Sequence, residues 1–298
     1  MWWRTGIIAG CLCGVLILTI RELSLLPNGN LKLHILDVGQ GDSILLLSPS
    51  GKNILIDGGP DTSVLEHLGT YLSFFDRTID LLVLTHPDMD HITAFPDVLK
   101  RYQIGTIIIT GIQKNNAPRY ESFLSQVVAL HPSVVLTDPG QDIDIADGLI
   151  LDIIWPPDST AITKPSKANN TSVVIRALFG SESILLTGDI ETKAETEILM
   201  SGADIRSNIL KVPHHGSRTS SSTGFLLAIK PRLAIVSAGQ DNQFGHPHND
   251  VVERYNHFGI PVHNTAAQGT ISMSFPKKTT LSLDLPLQRG REFYILPP

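Results

Sequence analysis

The sequence predicts an α+β domain of two β-sheets packed face to face with helices outside, preceded by one short apolar helix. Three observations carry this. Strand-like runs fall into two blocks with helical runs interleaved, a pattern that buries both kinds of apolar face when sheet packs on sheet and helices cover the outside. Several runs, such as Leu81–Leu84, are continuously apolar, as buried strands are. The N-terminal stretch Thr5–Ile20 (TGIIAGCLCGVLILTI) carries no charge at all.

That stretch, taken as a helix, is about 24 Å long at roughly 1.5 Å per residue, a short span for a hydrocarbon core of about 30 Å. Trp2 and Trp3 stand where an interfacial aromatic belt would be, with Arg4 on the same side. The positive-inside bias then leaves the N-terminus in the cytoplasm and the rest of the chain outside the membrane. An uncleaved single-pass anchor is the first reading. A cleaved signal peptide lacks a small-residue cleavage site after Ile20, and the lipobox-like Ile8-Ala9-Gly10-Cys11 has too few apolar residues before it. Residues 1–30 are accordingly read as anchor or signal segment plus linker, and residues 31–298 as one domain.

The chain has 298 residues, 42% hydrophobic and 17% charged, enough to bury a full core in one domain. Its net charge of −6 does not fit a general nucleic-acid binder, which carries a basic face. Both cysteines, Cys11 and Cys13, lie in the apolar stretch, so the rest of the chain offers neither a disulfide framework nor a thiolate zinc site.

In chain order, Leu31–Asp37, Ser43–Leu47 and Asn53–Asp57 read as strands joined by Gly-rich turns, and Ser63–Phe75 as a helix capped by Ser63. After Leu81–Leu84 a helix starts near Ile92 or Thr93. Thr106–Thr110 is a β-branched strand and Arg119–Leu130 a helix. Ser133–Leu136, Asp142–Ile145 and Leu149–Ile154 are short strands, and Pro156–Asn169 is the most loop-like stretch. Thr171–Leu178 and Ser183–Thr187 form a hairpin, followed by a helix over Glu191–Met200. Asn208–Val212, Leu233–Ser237, Pro261–His263 and Thr270–Phe275 add strands.

The chemistry concentrates in Thr85-His86-Pro87-Asp88-Met89-Asp90-His91. A loop leaving a buried strand converges its side chains at the strand's C-terminal edge. His86, Asp88, Asp90 and His91 are there the imidazole and carboxylate donors that suit zinc, manganese or iron. A solvated polar loop is the bland alternative. His34 reads as packed, His67 and His131 as surface residues, and His257 and His263 as structural or near the site. Asp37, Asp42 and Asp57 read either as partners that orient ligating histidines or as turn formers. The serines from Ser217 to Ser222 read either as substrate contacts or as the N-cap region of a helix near Phe225.

The His86–His91 run resembles the HxHxDH signature of the metallo-β-lactamase superfamily, with Asp88 in place of the second histidine. That HxDxDH form is similar to the ComEC-like competence-protein subgroup. Leu36-Asp37-Val38-Gly39-Gln40-Gly41-Asp42-Ser43 looks like the opening motif of that subgroup, and Leu55-Ile56-Asp57-Gly58-Gly59 follows. Asn169-Asn170-Thr171-Ser172 stands where a histidine is more common. Leu186-Thr187-Gly188-Asp189, Lys211-Val212-Pro213-His214-His215-Gly216-Ser217 and Gly245-His246-Pro247-His248 match later motifs. Where the family often has glycine after the first run, this chain has Thr93 and Ala94. The resemblance covers about Leu31 to Phe275.

It implies a four-layer αββα metallo-β-lactamase fold and two divalent metal ions, zinc or manganese. One ion would be held by His86 with Asp88 and the other by Asp90 and His91. Asp189 would bridge them, and His215 would be a further ligand. Asp90, His214 and His246 are the expected catalytic residues, and Asn170 and Ser217 the expected substrate contacts. The resemblance points to hydrolysis of a phosphodiester or nucleic acid. Lactone, thioester or β-lactam hydrolysis, or a non-catalytic binding module at the membrane, are the alternatives. DNA uptake does not carry over, because in that family it goes with a multi-span channel. The N-terminal helix implies a membrane contact, and no feature points to a protein partner.

Overall fold

The computed structural model describes residues 2–111, 117–137, 141–145, 147–156, 168–277 and 292–296. Helix α1 (Trp2–Leu25) opens the chain, and its window Gly6–Leu25 has mean hydropathy 1.9 with none of it buried. By length and composition it can cross a membrane. The first half then runs β1 (Asn30–Ile35), β2 (Ile44–Leu47), β3 (Asn53–Ile56), α2 (Ser63–Tyr71), β4 (Thr78–Leu84), α3 (Met89–Ile92), α4 (Phe95–Arg101), β5 (Gln103–Ile109), α5 (Pro118–Leu130) and β6 (Ser133–Leu136). The second half runs β7 (Gln141–Asp144), β8 (Leu149–Trp155), β9 (Val174–Phe179), β10 (Glu182–Leu186), α6 (Thr192–Ser201), β11 (Ile209–Lys211), α7 (Thr223–Ile229) and β12 (Leu233–Val236). It closes with α8 (Asn249–His257), β13 (Val262–Asn264), α9 (Thr265–Gln268), β14 (Ile271–Pro276) and β15 (Glu292–Ile295).

One sheet has the order β14-β1-β2-β3-β4-β5-β6 and the other β13-β12-β11-β10-β9-β8-β7-β15. In each, an antiparallel part continues into a parallel part: β3-β4-β5-β6 in the first and β10-β11-β12-β13 in the second. The two-residue period of a strand sorts side chains between two cores. The register partners Leu33, Leu46, Ile54 and Leu81 face the second sheet. Leu45, Leu55, Leu82 and Ile107, one residue out of phase, pack with residues of α2, α4 and α5. Leu185, Leu210 and Ala234 do the same with α6, α7 and α8 on the other side. These three cores make the four αββα layers that the motifs implied. Parallel strands covered on both faces read as unbroken apolar runs, which explains Leu81–Leu84.

Several details differ from the sequence reading. The helix over Ser63–Phe75 ends at Tyr71, and Ser63 does not cap it; Asp61 accepts the Ser63 N–H instead. The helical turn α3 begins at Met89, so Asp90 and His91 lie inside a turn rather than in a loop before it. Helix α8 and strand β15 were not foreseen. α8 is mostly polar: only Val251 and Tyr255, four residues apart on one face, are buried, so its apolar stripe is two residues long. The loop expected over Pro156–Asn169 lies largely outside the described residues.

Candidate metal centre

The site forms where chain leaves the C-terminal ends of β3, β4, β10, β11 and β12. The parallel parts of the two sheets end there side by side, and the tight turns that follow hold the polar side chains. Gly41 shows how tight they are. Its φ is +150°, and a Cβ there would collide with the Asp90 carbonyl oxygen. His214 and His215 both take left-handed backbone, with φ of 49° and 53°. Non-glycine residues rarely do this, and such conformations cluster at functional sites. Gly216, at φ +84°, completes the turn where a Cβ would lie 2.5 Å from Pro247 Cβ.

Asp90, His91, Asp189 and His215 bring four donor atoms within 4.8 Å of one another. His215 Nε2 lies 3.2 Å from Asp189 Oδ2 and 3.4 Å from Asp90 Oδ2, and His91 Nε2 lies 3.3 Å from Asp189 Oδ2. These are the edge lengths of a coordination shell: donors about 2.1 Å from one ion stand roughly 3.0–3.4 Å apart. His86 sits next to this group, its ring centroid 4.1 Å from that of His91, and its Nε2 is 3.9 Å from Asp88 Oδ2. Nε2 of His86, His91 and His215 and Oδ1 of Asp189 are buried without a hydrogen-bond partner among the described residues. Buried polar atoms ordinarily have one. Bound cations would satisfy them, so the residues fit the metal ions implied by the motifs.

The remote ring nitrogens are all engaged, which turns each Nε2 toward the pocket. His91 Nδ1 meets Asp57 Oδ2 at 2.7 Å, and Asp57 also accepts from the Thr85 N–H and hydroxyl. His215 Nδ1 donates to the Ser237 carbonyl at 2.8 Å. His86 Nδ1 lies 3.0 Å from Thr85 Oγ1 and 3.2 Å from Ser172 Oγ. Outer partners of this kind set tautomer and orientation. Asp57 and Asp42 thus face the histidines. Asp42 also forms a fully buried ion pair with Lys211, and Asp37 accepts from the Gly39 N–H in a turn. Asp42, Asp57 and His91 also lie close enough to one another to share an ion. The pairings of Asp42 with Lys211 and of Asp57 with Thr85 speak for an orienting role.

The charges support the same picture. Burial opposes ionisation of His91 and His215, but Asp189 and the other carboxylates outweigh it and raise both well above an ordinary histidine. Burial likewise works against Asp189, and His215 and His91 hold it well below the usual carboxylate range. The pocket therefore holds protons that a divalent ion would displace. His86 is held down to about 4 by burial, with His91 adding to it. His246 also falls to about 4, through burial and the neighbouring His215 and His214.

His214 and His246 stand at the rim. Their ring centroids are 5.6 Å apart, and His214 Nε2 is 4.0 Å from Asp189 Oδ2. Burial lowers the His214 pKa. Asn169 Nδ2 is 3.2 Å from His214 Nε2, while Glu191 Oε1 is 3.8 Å and Thr219 Oγ1 3.3 Å from its Nδ1. Asn169 and Glu191 were given no role from the sequence, though Asn169 opens the Asn169–Ser172 motif and Glu191 closely follows the one ending at Asp189. Asn170, expected to contact substrate, is otherwise employed: its Oδ1 accepts from the Glu191 and Ala194 N–H groups and its Nδ2 donates to Glu191, which fastens the start of α6. Ser217 is buried against Thr219, and Ser222 caps α7. His34 is packed against Tyr71, and His257 and His263 are exposed at a distance from the cluster.

Comparison with known proteins agrees with this geometry. Residues 36–240 match the family described as "Metallo-beta-lactamase superfamily". The chain is 29% identical over 289 residues to ComE operon protein 3 of Bacillus subtilis, covering 90% of this chain and 36% of that protein. It is 32% identical over 272 residues to Recombination protein 2 of Haemophilus influenzae, covering 89% of this chain and 32% of that protein. It thus spans about a third of the length of the curated relatives it matches. A metallo hydrolase from the archaeon Ignicoccus hospitalis shares the fold, with TM-score 0.54 and 15% identity over 82% of this chain and 99% of that one. With its fold, its motifs and these matches in agreement, the chain belongs to the metallo-β-lactamase superfamily, as a ComEC-like member with the donor set of a metal-dependent hydrolase.

Proposed function

We infer that this protein is a metal-dependent phosphodiesterase, acting outside the cytoplasmic membrane to which α1 anchors residues 31–298. The observation that carries the reading is the Asp88 carboxylate beside His86, where the superfamily usually has an imidazole. With Asp90 and Asp189 it makes the donor set rich in anionic oxygen, which favours harder ions such as manganese alongside zinc and suits phosphate chemistry. His86 with Asp88 would hold one ion, Asp90, His91 and His215 the other, and Asp189 both. Bound divalent ions supply Lewis acidity, polarising a phosphoryl oxygen and lowering the pKa of water from about 15.7 toward 7.

The chain's own residues do the rest. His214, neutral in its buried setting and flanked by Asn169 and Glu191, carries a proton between rim and leaving oxygen. Neutral His246 borders the same rim and adds a hydrogen-bonding group without positive charge. The net charge of −6 disfavours long-range capture of duplex DNA, so a single strand or short phosphodiester is the preferred substrate class.

The full chain in detergent, loaded with manganese, should hydrolyse bis-p-nitrophenyl phosphate and leave nitrocefin intact, with the Asp189→Ala variant inactive. Turnover of nitrocefin alone would overturn the phosphodiesterase reading. For location, alkaline phosphatase fused after residue 28 should be active; an inactive fusion would reverse the topology.

A further inference from the structure

Arg21 and Glu22 interrupt the apolar helix and, from sequence, would cut the membrane span short. The tertiary structure gives both charges internal partners. They pair with each other. Arg21 also donates to the Gly69 and Thr70 carbonyls at 2.6 and 3.3 Å. Glu22 Oε2 accepts from the Ser73 hydroxyl at 2.6 Å and from the Phe74 N–H at 3.0 Å. The last turn of α2 and the segment between α2 and β4 are thereby clasped to the last turns of α1.

What that clasp presents outward is two aromatic rings, with the exposed Arg77 guanidinium 5.2 Å from the Phe74 centroid. Phe74 is 65% exposed and Phe75 83%, their rings edge to face at 5.4 Å. Leu23, in the last turn of α1, and Leu26, just after it, are also exposed. A groove of about 380 Å³ lies between, with Leu25, Leu26, Pro27, Leu72 and Phe75 on its apolar side. The apolar surface of α1 therefore does not stop at Ile20. It runs through Leu25 and on to the domain, and the 20 residues Gly6–Leu25 reach about 30 Å, the thickness of a hydrocarbon core.

We propose that the Phe74–Phe75 segment is a membrane foot: both rings sit in the bilayer interface around α1 and fix the orientation of the domain on the lipid surface. This rests on the membrane-anchor reading given above. Phe, like Trp and Leu, is a side chain that enters the headgroup–acyl boundary, and Arg21 and Glu22, paired with each other and hydrogen-bonded by the clasp, resist burial there less than free charges would. The orientation has a consequence for substrate. The foot lies before β4 and the donors His86 to His91 follow it, so a strand of 7 residues separates them. At roughly 3.3 Å per residue that is about 23 Å. The metal centre thus opens away from the membrane, and its substrate arrives from the aqueous phase rather than from lipid.

Spin-label accessibility tests this on the full chain. In a Cys11→Ser, Cys13→Ser background, single nitroxides are placed by Leu16→Cys, Phe75→Cys or Phe244→Cys, and each protein is reconstituted into vesicles of phosphatidylcholine and phosphatidylglycerol. Phe244 borders the site, its ring 5.7 Å from that of His246. The expected result is several-fold more collision with oxygen than with a water-soluble nickel chelate for the labels at 16 and 75, and the reverse at 244. Lipid signal at 16 with aqueous signal at 75 overturns the foot alone. Aqueous signal at 16 overturns the anchor itself and the foot with it. Equal depth at 75 and 244 overturns the orientation.

Discussion

Asp88 is the residue that sets this site apart within its superfamily. Replacing its carboxylate by imidazole in Asp88→His makes the donor set softer and less negative, so the ratio of zinc to manganese bound from an equimolar mixture should rise about tenfold, read by elemental analysis. Lys211 has a different role. It is completely buried against Asp42, which in turn stands 3.4 Å from His215 Nδ1. Lys211→Met leaves that carboxylate buried without its counter-charge, and denaturant titration should show a loss of about 3–5 kcal/mol. His34 supplies a pH dependence outside the site. Burial, with help from Lys32, lowers its pKa from 6.5 to about 4, so the unfolded chain binds a proton there that the folded one refuses. Its contribution is present above pH 6.5 and is lost as pH falls toward 4, on the order of 3 kcal/mol. His34→Gln should flatten the stability profile in that window. His86 and His246 move in the same direction, so the profile will not become level.

At the scale of elements, α6 shows how a motif residue can be structural. Its first turn lacks a side-chain cap from Glu191, and Asn170 reaches across to fill that role. Asn170→Ala should therefore lower the melting temperature by a few degrees, as loss of a cap worth about 1 kcal/mol does, while the protein keeps its bound metal. A drop in metal content at unchanged melting temperature would refute that assignment. The same element scale explains the boundaries that sequence misjudged. Capping at Ser63 looked natural, yet the backbone of Thr62 and the side chain of Asp61 settle where α2 begins. α3 starts early because Asp88, in extended conformation, turns the chain directly into a helical turn at Met89. Such choices depend on neighbouring loops, which a local pattern does not contain.

For the whole molecule, the candidate metal centre draws its donors from both sheets. His86, Asp90 and His91 belong to the first sheet's loops, and Asp189 and His215 to the second's. Ions held by both should stabilise the folded state alone. At a free ion concentration 100-fold above Kd the gain is about 2.7 kcal/mol. Removing metal with a chelator should then lower the melting temperature by on the order of 5 °C, and readdition of manganese should restore it. No change on chelation would mean that the two halves of the donor set do not share an ion.

The alternation and the apolar runs of the sequence determined the strands other than β15, the two-sheet core and the order of the layers, because burial on one or both faces leaves a period that local reading detects. The close spacing of His86, Asp88, Asp90 and His91 marked a donor cluster without coordinates, and the resemblance to the superfamily's motifs added Asp189 and His215. Only the tertiary structure decided which of them meet, since Asp189 lies about a hundred positions from His91 in the chain yet 3.3 Å away in space. It also decided that Asn170 supports a helix, that Asn169 and Glu191 flank His214, and that the Arg21–Glu22 pair is hydrogen-bonded by the 69–74 segment. Each of these depends on a partner distant in sequence, and no local pattern records such a partner.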